Sequence, residues 1–200
     1  MKYLAILIMF SICSFTENTF KIESKGIING VIEKQYGGNG GSFINNVPSK
    51  SIPLEWKNIP KGTKSFLIVM EDYDAIPVVG FLWIHWSIGD IPVYKKTLIE
   101  NESRENVEII QGVNSWASSL GGLTKEEASY YGGPYPPDKD HNYKITIYAL
   151  DTELGLKKGY YLNRDPETDF EPGEVRAIID NFSYANYIVP NVAKEIIKIC

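Results

Sequence analysis

Cysteine is nearly absent from this sequence. Its two cysteines, Cys13 and Cys200, lie near opposite ends of a 200-residue chain. If the chain is cleaved after Cys13, one free thiol remains, and neither a disulfide framework nor a zinc site can be assembled from it. No cofactor is expected. The length suits one well-buried domain and is too short for two ordinary ones.

Basic residues do not exceed acidic ones. Lysine and arginine together number 20 against 25 aspartates and glutamates, which gives a net charge of -5. Binding to a phosphate backbone requires a concentrated basic surface, so the sequence excludes a nucleic-acid partner. A membrane-spanning run is also lacking: the apolar stretch at residues 4–13 is shorter than a span. No transmembrane segment is expected once this stretch is removed.

Residues 1–13 are typical of a secretory signal peptide, because one basic residue precedes the short apolar stretch. Ser11 and Cys13 are both small and lie two apart, which favours cleavage after Cys13. The alternative is that Cys13 becomes a lipid-bearing N-terminus, although Ile12 fits a bacterial lipoprotein signal poorly. We expect an exported protein, periplasmic or extracellular, with a lipid anchor on Cys13 as the second possibility.

Glycine, proline and aromatic residues are plentiful, and their distribution among short apolar runs predicts many turns and a mainly β architecture. Residues 65–70 and 82–91 are apolar runs expected of strands covered on both faces. Residues 143–150 alternate apolar and polar, so one face should meet solvent or a site. Residues 112–137, rich in Gly, Ser and Pro, predict a long functional loop.

The C-terminal part changes to helical spacing. Residues 172–182 predict a helix, with Pro172 in its first turn and apolar residues at helical intervals. Residues 190–199 predict a second short helix. The sequence therefore indicates one domain, residues 22–200, with an antiparallel β core and one or two late helices, in the all-β or α+β class.

The two histidines lie beside rigid turns. His85 stands in an apolar strand, where alternation would turn Trp83 and His85 to one face and Ile84 and Trp86 to the other. A single histidine in such a place is more often a hydrogen-bonded core residue than a functional one. The second histidine favours a functional interpretation.

His141 follows a turn stiffened by Pro134, Pro136 and Pro137, and it precedes Tyr143 by two residues. By itself it is typical of a solvated turn residue. Taken with His85, it indicates polar groups held rigidly around a small ligand.

Two aspartates, Asp72 and Asp74, follow the predicted strand that ends near Glu71. An isolated Asp-x-Asp is commonly a turn-forming pair. The functional alternative is that Asp72 orients a histidine by accepting one ring N–H, which leaves the other nitrogen to face a ligand.

Together these motifs resemble the phosphatidylethanolamine-binding protein family, in particular its bacterial Raf-kinase-inhibitor-like branch. The likeness covers nearly the whole chain after the signal, and it rests on the order and spacing of several short motifs. They are Pro53-Leu54-Glu55-Trp56, Pro60-Lys61-Gly62-Thr63-Lys64-Ser65, Asp72-Tyr73-Asp74-Ala75, Trp83-Ile84-His85, Gly112-Val113-Asn114-Ser115, Gly133-Pro134-Tyr135-Pro136-Pro137 and His141-Asn142-Tyr143.

The resemblance implies an antiparallel β-sandwich whose ligand cavity opens at one end and takes a small anion: phosphate, a phospholipid headgroup or a phosphorylated metabolite. The ligand-binding residues it carries over are Asp72, Trp83, His85, Pro134, His141 and Tyr143. Imidazole N–H groups, the Tyr143 hydroxyl and backbone N–H groups would surround the oxyanion, while prolines keep these donors in place.

Three positions depart from the family pattern. Tyr73 stands where the family has proline, Ile76 is inserted between Ala75 and Pro77, and Tyr135 replaces the cysteine of the bacterial form. These changes bear on binding specificity more than on the fold.

Three classes of function follow. The first is non-catalytic binding of a small anionic ligand. The second is an enzyme: a hydrolase using Ser87, Ser115 or Ser118, or a metal held by two histidines and an aspartate, although neither a Gly-x-Ser-x-Gly elbow nor a metal-binding spacing is present. The third, which the resemblance implies because relatives inhibit kinases or proteases, is an inhibitor or regulator of another protein. Export disfavours a cytosolic kinase target and leaves a protease as the candidate partner.

Overall fold

The computed structural model describes residues 20–162 and the backbone of Tyr184–Tyr187. The strands are β1 (Lys21–Glu23), β2 (Ile27–Ile28), β3 (Val31–Ile32), β4 (Phe43–Ile44), β5 (Val47–Pro48), β6 (Leu54–Lys57), β7 (Ser65–Asp72), β8 (Trp83–Pro92), β9 (Thr97–Leu98), β10 (Ile110–Gln111), β11 (Tyr143–Leu150) and β12 (Tyr184–Tyr187). The helices are α1 (Ile76–Val79) and α2 (Glu102–Glu105), with 3₁₀ turns at Lys34–Tyr36 and Ser115–Ala117.

The larger sheet has five strands in the order β10-β8-β7-β11-β12, and every described pairing in it is antiparallel. Its centre is β7, where an unbroken apolar run lets both faces be buried. Phe66, Ile68 and Met70 enter the main hydrophobic core, and Leu67 and Val69 enter a second, smaller cluster on the opposite face. This confirms the expectation of a strand covered on both sides.

The smaller sheet, β1-β6-β9, covers the face of the larger sheet that carries the main core. Its residues Ile22, Leu54 and Trp56 are at most 3% exposed and pack in that core. Trp56 meets Phe66 edge-on, with ring centroids 5.5 Å apart. The domain is therefore an antiparallel β-sandwich with its main core between the sheets, as predicted.

The predicted strands are present with small shifts at their ends. The strand predicted over 65–70 continues to Asp72, the one predicted over 82–91 covers Trp83–Pro92, and Tyr143–Leu150 has the predicted limits. The alternation in this last strand was expected to leave one face for solvent or a site. Instead both faces pack along most of its length, because the second cluster, with Leu154 and Tyr160, covers the face away from the main core.

The helices predicted over 172–182 and 190–199 lie outside the described residues. The loop predicted over 112–137 contains a single 3₁₀ turn and no strand. Among the described residues, no helix is both long and apolar enough to cross a membrane.

Candidate functional site

A row of side chains lies where three neighbouring strands of the larger sheet, β8, β7 and β11, begin or end. Tyr143, the first residue of β11, pairs with Asp72, the last residue of β7, and Asp72 pairs in turn with Trp83, the first residue of β8. Because the strands are antiparallel, one strand's end lies beside its neighbours' beginnings. His85 and His141 lie two residues from Trp83 and Tyr143. We call Asp72, Trp83, His85, His141 and Tyr143 the histidine site.

A β-bulge places His85 in this site. Met70 pairs with Trp86 and Glu71 pairs with Ile84, so His85 is an extra residue in β8. Such a residue breaks the strict alternation of side chains. Trp86 accordingly packs in the main core while Ile84 packs against the second cluster. The prediction that Ile84 and Trp86 share a face was wrong, because it assumed a regular ladder.

His85 is 3% exposed and is fixed through one ring nitrogen. Its Nδ1 lies 2.8 Å from the carbonyl oxygen of Gly132, and its own carbonyl accepts a hydrogen bond from the Gly132 N–H. A carbonyl can only accept, so Nδ1 carries a proton. The other nitrogen, Nε2, lies 3.9 Å from Oδ2 of Asp72, which is too long for a hydrogen bond. It has no hydrogen-bond partner in the described part of the chain.

His141 is 2% exposed and lies between two carboxylates. Its Nδ1 is 2.7 Å from Oδ2 of Asp72, and its Nε2 is 2.8 Å from Oδ1 of Asp138. Both nitrogens therefore act as donors, which requires the imidazolium form. Burial alone would lower the pKa of His141, but the hydrogen bonds to Asp72 and Asp138 outweigh burial and raise it. The interpretation of His141 as a solvated turn residue was wrong.

Oδ2 of Asp72 faces both histidines but is hydrogen-bonded to one of them: it lies 2.7 Å from Nδ1 of His141 and 3.9 Å from Nε2 of His85. The other carboxylate oxygen, Oδ1, accepts a hydrogen bond of 3.1 Å from the N–H of Ala75, which fixes the turn before α1. Burial would raise the pKa of Asp72, but the nearby imidazoles of His85 and His141 outweigh burial and lower it. Asp72 is thus both a turn-forming aspartate and the acceptor of one N–H of His141. The expectation that the other ring nitrogen would face a ligand is not met for His141, because its Nε2 lies against Asp138.

Trp116 is a member of the site's wall that the sequence reasoning missed. Its ring lies edge-on to Trp83 and His85, with centroid distances of 5.1 and 5.2 Å. Asn114 positions it, since Oδ1 of Asn114 accepts the N–H of Trp116 at 2.9 Å and Nδ2 donates to the carbonyl of Tyr130. A signal was present in the Gly112-Val113-Asn114-Ser115 motif, which ends directly before this tryptophan.

Of the two other predicted ligand-binding residues, Tyr143 lies beside His85 within the histidine site, whereas Pro134 contacts a neighbouring loop. The Tyr143 ring lies 5.0 Å from that of His85, and burial raises the pKa of its hydroxyl, which has no hydrogen-bond partner among the described residues. Pro134 is buried, and its carbonyl accepts the N–H of Gly38 at 2.7 Å. Its described contact is thus to a neighbouring loop. The substituted Tyr135 is 58% exposed and lies edge-on to Phe43.

Two of the three candidate nucleophiles, Ser115 and Ser118, accept backbone hydrogen bonds through their hydroxyl oxygens. Ser115 Oγ accepts the N–H of Ile84 at 2.8 Å, and Ser118 Oγ accepts the N–H of Gly121 at 3.4 Å. Ser87 is fully buried.

Within residues 20–162, no group of three histidine, cysteine or acidic side chains could hold a metal ion. A cavity of about 810 Å³ lies against β1, β6 and β9, and neither histidine lines it.

Comparison with known proteins places this geometry in a family. Residues 22–181 match the family model described as phosphatidylethanolamine-binding protein. YxkA of Bacillus subtilis (strain 168), an uncharacterized protein, is 44% identical over 133 residues, which are 66% of this chain and 76% of YxkA. YbcL of Escherichia coli (strain K12) is 28% identical over 179 residues, which are 82% of this chain and 91% of YbcL.

Two solved structures share the fold. A putative phosphatidylethanolamine-binding protein homologue from Chlamydia trachomatis aligns with a TM-score of 0.61 at 24% identity, covering 84% of this chain and 94% of that one. YbcL of Escherichia coli aligns with a TM-score of 0.59 at the same identity and coverage. With the family model matched over most of its length and the sandwich shared with these structures, the chain belongs to the phosphatidylethanolamine-binding protein family.

Proposed function

We propose that this protein binds a small anionic group at the histidine site without catalysing a reaction. The group is a phosphate, a phospholipid headgroup or a phosphorylated metabolite. Membership of a family named for binding a phospholipid supports the ligand class.

The observation that carries the proposal is that three buried polar atoms of the histidine site, His85 Nε2, Trp83 Nε1 and the Tyr143 hydroxyl, have no hydrogen-bond partner in the described part of the chain. Other buried atoms without a partner, such as the Tyr160 hydroxyl, lie outside this site. A buried polar group without a partner costs about 1–3 kcal/mol. An oxyanion accepts from N–H and O–H donors, so it would satisfy the indole and the phenol directly, and the imidazole when Nε2 is protonated.

The experiment is titration of the purified protein with inorganic phosphate, using a pair of matched variants. Tyr143→Phe removes a buried hydroxyl from the site, whereas Tyr160→Phe removes one from the second cluster. We expect Tyr143→Phe to weaken binding about tenfold, because a hydrogen bond to a charged group contributes about 1.5–3 kcal/mol. Tyr160→Phe should leave the affinity unchanged. Equal losses in both variants, or no phosphate binding by the unmodified protein, would contradict the proposal.

We also propose that the protein is exported. Residues 1–13 carry the sequence pattern that supports this, and they lie outside the described structure. Mass spectrometry of the protein from its native host should find an N-terminus near residue 14, or a lipid on Cys13. An intact Met1 would refute export through this segment.

A further inference from the structure

The carboxylate of Asp138 accepts a hydrogen bond from the second N–H group of the His141 ring. Its Oδ1 lies 2.8 Å from Nε2 of His141, while Nδ1 of the same ring is held by Asp72. Because both N–H groups are bonded to carboxylates of the chain itself, His141 has none left for a ligand. Any anion that uses this imidazolium must take the position of one of the two carboxylates.

The two carboxylates differ in how firmly they are held. The Asp72 side chain is 4% exposed, ends a central strand and is also bonded to the N–H of Ala75. The Asp138 side chain is 43% exposed and lies in an irregular loop between Pro137 and His141. Asp138 is therefore the carboxylate that can leave without disturbing a strand.

The charges around this position also oppose an incoming anion. Asp72, Asp74 and Asp138 are grouped near His141, with Oδ2 of Asp74 accepting the N–H of the adjacent Asn142 at 2.8 Å. The nearby Lys144 extends toward the ring of Tyr73, with Nζ 5.9 Å from its centroid. The Asp138 carboxylate thus accepts the hydrogen bond that His141 Nε2 would donate to phosphate. It also adds a negative charge that repels the negatively charged phosphate.

We propose that Asp138 is an internal competitor for the ligand: its carboxylate occupies the place of an anion oxygen on His141, and the affinity for phosphate is set by its displacement. This inference rests on the proposed function. It assigns a role to a residue outside the family motifs identified in the sequence.

The test compares Asp138→Asn with Asp140→Asn in the full chain by calorimetric titration with inorganic phosphate. Both substitutions are nearly isosteric and remove one negative charge from the same exposed loop, but only Asp138 bonds to His141. We expect Asp138→Asn to bind phosphate about tenfold more tightly, because a charge-assisted bond no longer has to be broken and one like charge is gone. Asp140→Asn should change the affinity by less than about twofold, as expected for an exposed, screened charge.

A second measurement, by NMR without phosphate, follows the titration of the His141 ring. The groups facing this ring are Asp72 from β7, Tyr143 from β11 and Asp138 from the loop, with His85 of β8 sharing Asp72. Asp138→Asn should lower the pKa of His141, because one of the two carboxylates that raise it is lost. Asp140→Asn should leave it unchanged.

The outcomes separate this inference from the proposed function. If Asp138→Asn lowers the pKa of His141 but binds phosphate no more tightly than the unmodified protein, the contact exists without competing, and the inference alone is wrong. If the pKa of His141 does not move, the contact is absent in solution and the inference is likewise wrong. If neither protein binds phosphate, the proposed function and the inference both fail.

Discussion

His141 links its protonation to the stability of the fold, because both ring nitrogens bond to carboxylates in the folded chain. Its pKa is raised on folding, so its contribution to stability is fully present below the ordinary histidine pKa of about 6.5 and is lost as pH rises through the raised value. Asp72 behaves in the opposite sense. Its pKa is lowered, and its contribution is lost only as pH falls through that lower value.

We therefore expect the free energy of unfolding to decrease between about pH 5.5 and about pH 9, a range that spans the histidine titration. In His141→Gln this decrease should be smaller, because the titrating group is gone. Urea denaturation at both pH values measures the difference, with Asp140→Asn as a control that should follow the unmodified protein. Equal pH dependence in His141→Gln and the unmodified protein would show that His141 is not the group responsible.

At the residue scale, the side chains of the site could be predicted from the sequence, but their contacts with one another could not. Five of the six residues carried over from the family likeness lie together, but that likeness supplied them, and periodicity did not. The bond between His141 and Asp138 joins residues three apart in an irregular loop. No periodic pattern describes such a loop, so its hydrogen bonds become visible only when the chain path is known.

At the scale of elements, the strands were predictable because their apolar runs are long. β7 and β11 have continuous or alternating apolar residues, and their limits agree closely with the patterns. The bulge at His85 was not predictable, since a bulge adds one residue without changing composition. The short helices α1 and α2 were missed because four residues cannot establish a helical period.

The 3₁₀ turn Ser115–Ala117 depends on its cap. Asn114 accepts the N–H of Trp116 and donates to the carbonyl of Tyr130, and the turn holds Trp116 against His85. Asn114→Ala should lower the free energy of unfolding by about 1–2 kcal/mol, the usual effect of losing such a cap.

Chemical denaturation measures this loss, and near-UV circular dichroism should show a change in the edge-on pair of Trp83 and Trp116. The matched control is Asn39→Ala, at an exposed asparagine in another loop, which should change stability by less than about 0.5 kcal/mol. If the two variants lose the same stability, or if the aromatic spectrum of Asn114→Ala is unchanged, the cap does not position Trp116.

At the scale of the whole molecule, the sandwich explains why distant segments form one site. In the antiparallel order β8-β7-β11, the central strand places Asp72 between Trp83 and Tyr143, so that these three residues form one row although Tyr143 is far from Asp72 in the sequence. The pairing of strands that are far apart in the chain cannot be predicted from the spacing of apolar residues within each strand. Only the order of the family motifs indicated it from the sequence, and the opposing small sheet then closes the core behind the row.

The stability of that arrangement should depend on the contact between the sheets. Trp56 of β6 is 1% exposed and packs edge-on against Phe66 of β7, so it joins the smaller sheet to the larger one. Trp56→Ala removes a large buried ring and should lower the free energy of unfolding by about 3–5 kcal/mol.

Because both sheets share one core, unfolding of Trp56→Ala should remain a single transition, with far-UV and near-UV circular dichroism changing together in urea. Tyr94→Ala, at a side chain that is 81% exposed, is the control and should lower stability by less than about 0.5 kcal/mol. Two separate transitions in Trp56→Ala would mean that each sheet is stable without the other. A loss below about 1 kcal/mol would mean that the inter-sheet contact contributes little to the fold, since deletion of a buried tryptophan ordinarily costs several times more.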